Sequence, residues 1–97
     1  MKIEFFSCYT GHIDKMLMNS GLHYHHLGSC FRLLPNGNTH MIKARKFKEK
    51  EDFESYEVVV CKGEYRIDDD NIVFHGSLDE FKDWLEQFKM KSEFYGG

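Results

Sequence analysis

The sequence predicts an α+β fold: an antiparallel sheet of four to five strands, with a C-terminal helix packed on one face and a short N-terminal helix. Three observations carry this expectation. Ser77 to Glu80 reads S-x-x-E, a capping box in which each side chain satisfies the other residue's backbone N–H. Leu78, Phe81, Trp84, Leu85 and Phe88 follow it at helical spacing. Tyr56, Val58 and Val60 alternate with Glu57, Val59 and Cys61, the period of a strand. The three successive valines suit a central strand buried on both faces. The strand-like segments also follow one another with no helix between them, so the alternation of a parallel, doubly wound sheet is missing.

The elements follow in chain order. Residues 2–6 read as a short strand, with Ile3 and Phe5 on one side. A helix fits residues 11–20: Thr10 caps it, Ile13, Met16 and Leu17 share a face, and Gly21 supplies the left-handed residue beyond its end. Residues 22–27 have no clean period, because three histidines interrupt it. Residues 30–34 are strand-like, and Pro35-Asn36-Gly37 is a hairpin turn: Pro presets φ and Gly accepts a positive φ. Residues 39–47 return, with Ile42 and Ala44 on the face opposite Lys43 and Arg45. Residues 53–61 form the strongest strand. A turn at Lys62-Gly63, a return over 64–67, a turn over 68–71 and a last strand over 72–74 lead to the helix opened by Ser77. The core expected from this pattern is Ile3, Phe5, Leu17, Phe31, Leu33, Ile42, Val58, Val60, Ile67, Ile72, Phe74, Leu78, Phe81, Leu85 and Phe88.

The 97 residues suit one domain, residues 1–97. Leu, Ile, Val and Phe number 25, above the range of disordered chains. No apolar run approaches the roughly 18 residues of a membrane helix. The opening MKIEFFSCYTGH lacks the apolar stretch of a signal peptide. The three cysteines, Cys8, Cys30 and Cys61, are odd in number and widely spaced, which fits reduced thiols better than a disulfide framework. The expected compartment is the cytoplasm.

Charge is unevenly distributed. The overall net charge is −3, but residues 1–50 hold eight Lys and Arg against three acids, a net of +5. Residues 51–97 hold five against thirteen, a net of −8. Such asymmetry marks candidate binding faces. Asp68, Asp69 and Asp70 lie on a turn; Asp79, Asp83 and Glu86 fall at i, i+4 and i+7 and share the exposed stripe of the last helix. These six are the candidate partner-binding residues. The basic run contributes Lys43, Arg45, Lys46 and Lys48, interleaved with Phe47, as a candidate nucleic-acid surface in which cations meet phosphates and aromatics stack on bases.

Other constellations set no expectation of chemistry. His23, His25 and His26 form H-x-H-H, and in a strand His23 and His25 project to one side, but two imidazoles are too few for a closed zinc site. Asp68-Asp69-Asp70-Asn71 lacks the alternating oxygens and glycine of a calcium loop, since Ile72 and Val73 take those places. There is no G-x-S-x-G, H-E-x-x-H or phosphate-cradling glycine loop. Gly96-Gly97 resembles the diglycine tails of ubiquitin-like proteins and sulfur carriers over those two residues, but here the pair follows a helix and Phe94-Tyr95 instead of a last strand. The expectation is therefore a non-enzymatic protein without cofactor or metal. Its class is a small inhibitor or adaptor that covers a surface of a larger protein or nucleoprotein. Short, site-poor, locally acidic chains of that kind are common among phage and mobile-element proteins that disable host machinery, anti-CRISPR proteins included. The alternative is a nucleic-acid-binding module that uses the basic hairpin around residues 43–50.

Overall fold

The structure is a computed structural model that describes residues 7, 9–34, 39–46, 56–63 and 70–95, the last four without their side chains. The expected strand over 2–6, the Pro35-Asn36-Gly37 turn and the return over 64–67 lie outside the described residues, as do Ile3, Phe5 and Ile67. The elements are α1 (Gly11–Ser20), β1 (Tyr24–Leu27), β2 (Cys30–Leu33), β3 (His40–Lys46), β4 (Tyr56–Lys62), β5 (Ile72–Ser77) and α2 (Leu78–Tyr95). The five strands form one sheet in sequence order, and each neighbouring pair is antiparallel. The α+β expectation is met, with five strands and both helices.

Each helix begins and ends where local chemistry requires it. Thr10 is extended at φ −133 and its hydroxyl accepts from the His12 N–H at 3.3 Å. Gly21, at φ 75, closes α1 by donating its N–H to the Met18 carbonyl. At α2 the capping box is complete: Ser77 N–H donates to Glu80 Oε1 at 3.0 Å, and Glu80 N–H donates to Ser77 Oγ at 3.1 Å. These bonds hold the Glu80 carboxyl below its ordinary value. Gly76 leaves room for the returning carboxylate, since a Cβ there would stand 3.0 Å from Glu80 Oε1. Gly28, at φ 62, turns β1 into β2 through a two-residue loop with Ser29.

Both helices pack on the same face of the sheet. Ile13 and Leu17 of α1 and Leu78, Phe81, Leu85 and Phe88 of α2 share one core with Phe31, Leu33, Ile42, Ala44, Tyr56, Val58 and Val60. The register aligns this face: Ile42 lies between Phe31 and Val60, and Val60 lies opposite Phe74. The far face holds a second cluster of Val59, Cys61 and Ile72.

Ile72 corrects the expected core. Strand alternation sets it on the same side as Phe74, two residues on, yet it packs on the opposite face. A register shift in β5 against Val60 and Cys61 sets Phe74 opposite Val60 and Ile72 opposite Cys61. The bulge takes in Val73, and residues 72 and 74 no longer share a side. Phe74 itself is partly buried, not sealed.

Phe81 is 0% exposed and stacks on Trp84 at 5.8 Å between ring centroids. Phe81→Ala should cost about 3–5 kcal/mol, because the lost burial comes with a cavity that cannot collapse. Denaturant midpoints measure this; a loss under about 1 kcal/mol would mean that the sheet and helices do not share this core. Ser77→Ala should cost about 1 kcal/mol at neutral pH. Because the Glu80 carboxyl is depressed when folded, its share of the cap is present above the ordinary glutamate value of 4.5 and fades as pH falls through the lower folded value. Midpoints of wild type and Glu80→Gln should therefore converge at acid pH.

Candidate functional site

The outer surface of α2 carries the first candidate. A helix turns once every 3.6 residues, which sets Asp79, Asp83, Glu86 and Met90 in a single stripe pointing away from Leu78, Phe81 and Leu85. All four are exposed, Met90 at 67%. On the side facing α1, Lys82 and Lys89 border a cleft of about 160 Å³ with Met16, Asn19 and Ser20. On the side facing the β5 edge, a cavity of about 380 Å³ is lined by His40, Lys62, Val73, Trp84, Gln87, Phe88 and Lys91. Its floor is aromatic: Trp84 stacks on Phe88 at 5.1 Å, and the buried His40 meets Phe88 edge-on at 5.1 Å. Val73, carried outward at the bulge, is 43% exposed at its rim.

Asp70 is exposed, but it does not lie beside Asp79. It precedes β5, and α2 follows that strand, so six residues of strand, about 20 Å, separate them. The neighbouring Asn71 carbonyl accepts from Lys62 N–H at 2.7 Å, at the end of the sheet where Lys62 lines the cavity. Asp68 and Asp69 lie outside the described residues.

The basic residues divide between two faces. Lys43 and Arg45 alternate with Ile42 and Ala44 and project away from the helices. Arg45 Nε donates to Glu57 Oε1 at 2.7 Å, and Glu57 Oε2 meets His75 Nε2 at 2.8 Å, a row across three strands. Lys46 falls on the helix side instead. There it lines an open groove of about 730 Å³ with Tyr9, Thr10, Gly11, His12, Lys15 and Tyr56. Lys48 lies outside the described residues.

The groove has an organised wall. Asp14 accepts from Tyr9 OH at 3.0 Å on one oxygen and from Tyr24 OH at 2.7 Å on the other. The Tyr9 ring lies 4.8 Å from that of His26, and His12 meets Tyr56 edge-on at 5.5 Å. The Thr10 cap, the helix start at Gly11 and the basic run that includes Lys46 are the sequence signals that fall here. The pairing of Asp14 with two tyrosines on different elements has no local signature.

The histidines and thiols are placed by packing. His23 and His25 do share a side, with rings 5.6 Å apart, whereas His26 lies on the other side of β1, exposed, with its ring stacked on Phe31 at 5.0 Å. Among the described residues no three metal-ligating side chains come together. Cys30 and Cys61 are buried free thiols whose pKa is raised by that burial, against a smaller opposing pull from Lys43. No described helix is long and apolar enough to cross a membrane.

Comparison with protein-family models, with curated proteins and with solved structures finds no match to this chain.

The tyrosine pair yields a direct check. Donation to Asp14 raises the pKa of both Tyr9 and Tyr24 above the ordinary 10.0. Both bonds should persist until pH climbs through those raised values. Spectrophotometric titration of Asp14→Ala should bring two phenols back down towards 10.0; an unchanged curve would show that Asp14 holds neither hydroxyl.

Proposed function

We propose that the protein is a small, non-enzymatic cytoplasmic inhibitor or adaptor that covers part of the surface of a larger protein or nucleoprotein partner. It belongs by character with the small proteins that phages and mobile elements direct at host machinery. The observation that carries this reading is the α2 surface, where an exposed stripe of Asp79, Asp83, Glu86 and Met90 runs beside a cavity floored by Trp84, Phe88 and His40. Interfaces of this kind place a few aromatic anchors at the centre and charges at the rim. The acids would steer approach to a basic partner and select it, while Trp84, Phe88 and Met90 would supply affinity. The buried free thiols Cys30 and Cys61 accord with a reducing compartment.

The mechanism needs no catalytic group. The 18-residue α2 is held to the sheet by its other face, so its outer stripe is presented without ordering cost. Asp79, Asp83 and Glu86 are solvated, and exchanging them should leave the fold intact.

The triple substitution Asp79→Lys, Asp83→Lys and Glu86→Lys tests the reading. Wild type and variant serve as bait in extract from the native host, at low and high salt. The expected result is a partner retained by wild type, lost by the variant and weakened by salt. With that partner purified, the variant should associate about tenfold more slowly or worse at low salt. A rate unchanged within about twofold would make the stripe a solvated helix face that only maintains solubility.

A further inference from the structure

We propose that the groove between the first turn of α1 and the adjoining ends of β3 and β4 is a second binding site, for single-stranded nucleic acid. The occupant is read from the lining. Lys15 and Lys46 reach the groove from different elements, one from α1 and one from the end of β3. Two ammonium groups converging from separate elements suit the spaced phosphates of a strand better than one buried carboxylate. The groove is open, and its volume of about 730 Å³ lies in the range of ligand sites of roughly 300–1,000 Å³.

The aromatic half of the lining gives the second reason. Tyr9 is 52% exposed, yet its ring is not free to collapse onto the surface. Its hydroxyl is tied to Asp14 and one side of its ring meets His26. An exposed aromatic ring held at both ends is a platform on which a base can stack, and stacking tolerates any base. The Asp14 carboxylate borders this platform, and both its oxygens already accept tyrosine hydroxyls, which reduces its repulsion of a phosphate. Of the basic run that pointed towards nucleic acid, Lys46 belongs to this site. Lys43 and Arg45 lie on the opposite face, where Arg45 is engaged by Glu57.

The site is separate from the α2 stripe, so each stands or falls alone. The test is fluorescence anisotropy with labelled single strands of about 15 nucleotides, DNA and RNA, at several salt concentrations. Wild type should bind, with affinity falling as salt rises. Lys15→Ala with Lys46→Ala should weaken binding about tenfold or more and lower the salt slope by about 1.4, at 0.7 for each phosphate contact on a single strand. Tyr9→Ala should weaken binding by about fivefold to a hundredfold without changing the slope, since it removes stacking and no charge. Lys82→Ala with Lys89→Ala removes the same charge from α2 and should change affinity less than about twofold. Should Tyr9→Ala fail to fold, the two lysine pairs still decide the matter. The site is overturned by absence of binding up to about 100 μM at low salt, the weak limit of ordinary non-specific affinity. It is equally overturned if the two lysine pairs lose affinity alike.

Discussion

Everything in this fold leans on β4. It is paired along its length with β3 on one side and β5 on the other, and its side chains are buried above and below the sheet. Val58 and Val60 meet the helices, while Val59 and Cys61 meet the second cluster. A strand in that position cannot shift by one residue without exchanging its two hydrophobic faces. That would also turn Glu57 away from Arg45 and His75. The register of β4 thus sets β3 and β5, and through β5 it aims α2.

The route from β5 to α2 is short and stiff. Ser77 is both the last residue of the strand and the cap of the helix, so no loop intervenes. The direction of α2, and with it the direction of its exposed stripe, follows from that junction and from the apolar side that meets the sheet. The bulge at Val73 has the complementary effect, bringing an apolar side chain to the rim of the Trp84 cavity. Strand alternation sorts the basic residues in the same way, sending Lys43 and Arg45 to one side and Lys46 to the other. Two surfaces result: an acidic stripe on α2 beside a cavity with an aromatic floor and Lys62 and Lys91 in its lining, and a groove with Lys15, Lys46 and aromatic rings at the start of α1.

Much of this is legible in the residues themselves. Both helix caps, the limits of α1 and the alternation of β4 are local features, decided within a few positions, and the structure has them where the spacing places them. Gly28-Ser29 was equally local and marks the β1–β2 turn, but the three histidines nearby obscured the strand before it. Ile72 could not be placed because a bulge breaks the period on which its assignment rested. The candidate sites were only half legible for a similar reason. The stripe of Asp79, Asp83 and Glu86 belongs to one helix and can be read from spacing alone. The Trp84 cavity and the Tyr9 groove bring together residues from three or more elements, and their composition depends on which strand lies beside which.

Native-state hydrogen exchange measured amide by amide tests the dependence on β4 most directly. Amides of Val58, Val59 and Val60 should be the slowest in the chain, opening only with global unfolding, while those of α1 and the edge strand β1 exchange earlier through local opening. If the valine amides exchange as fast as those of β1, β4 is not the element on which the sheet is built, and the register that aims both surfaces has some other origin.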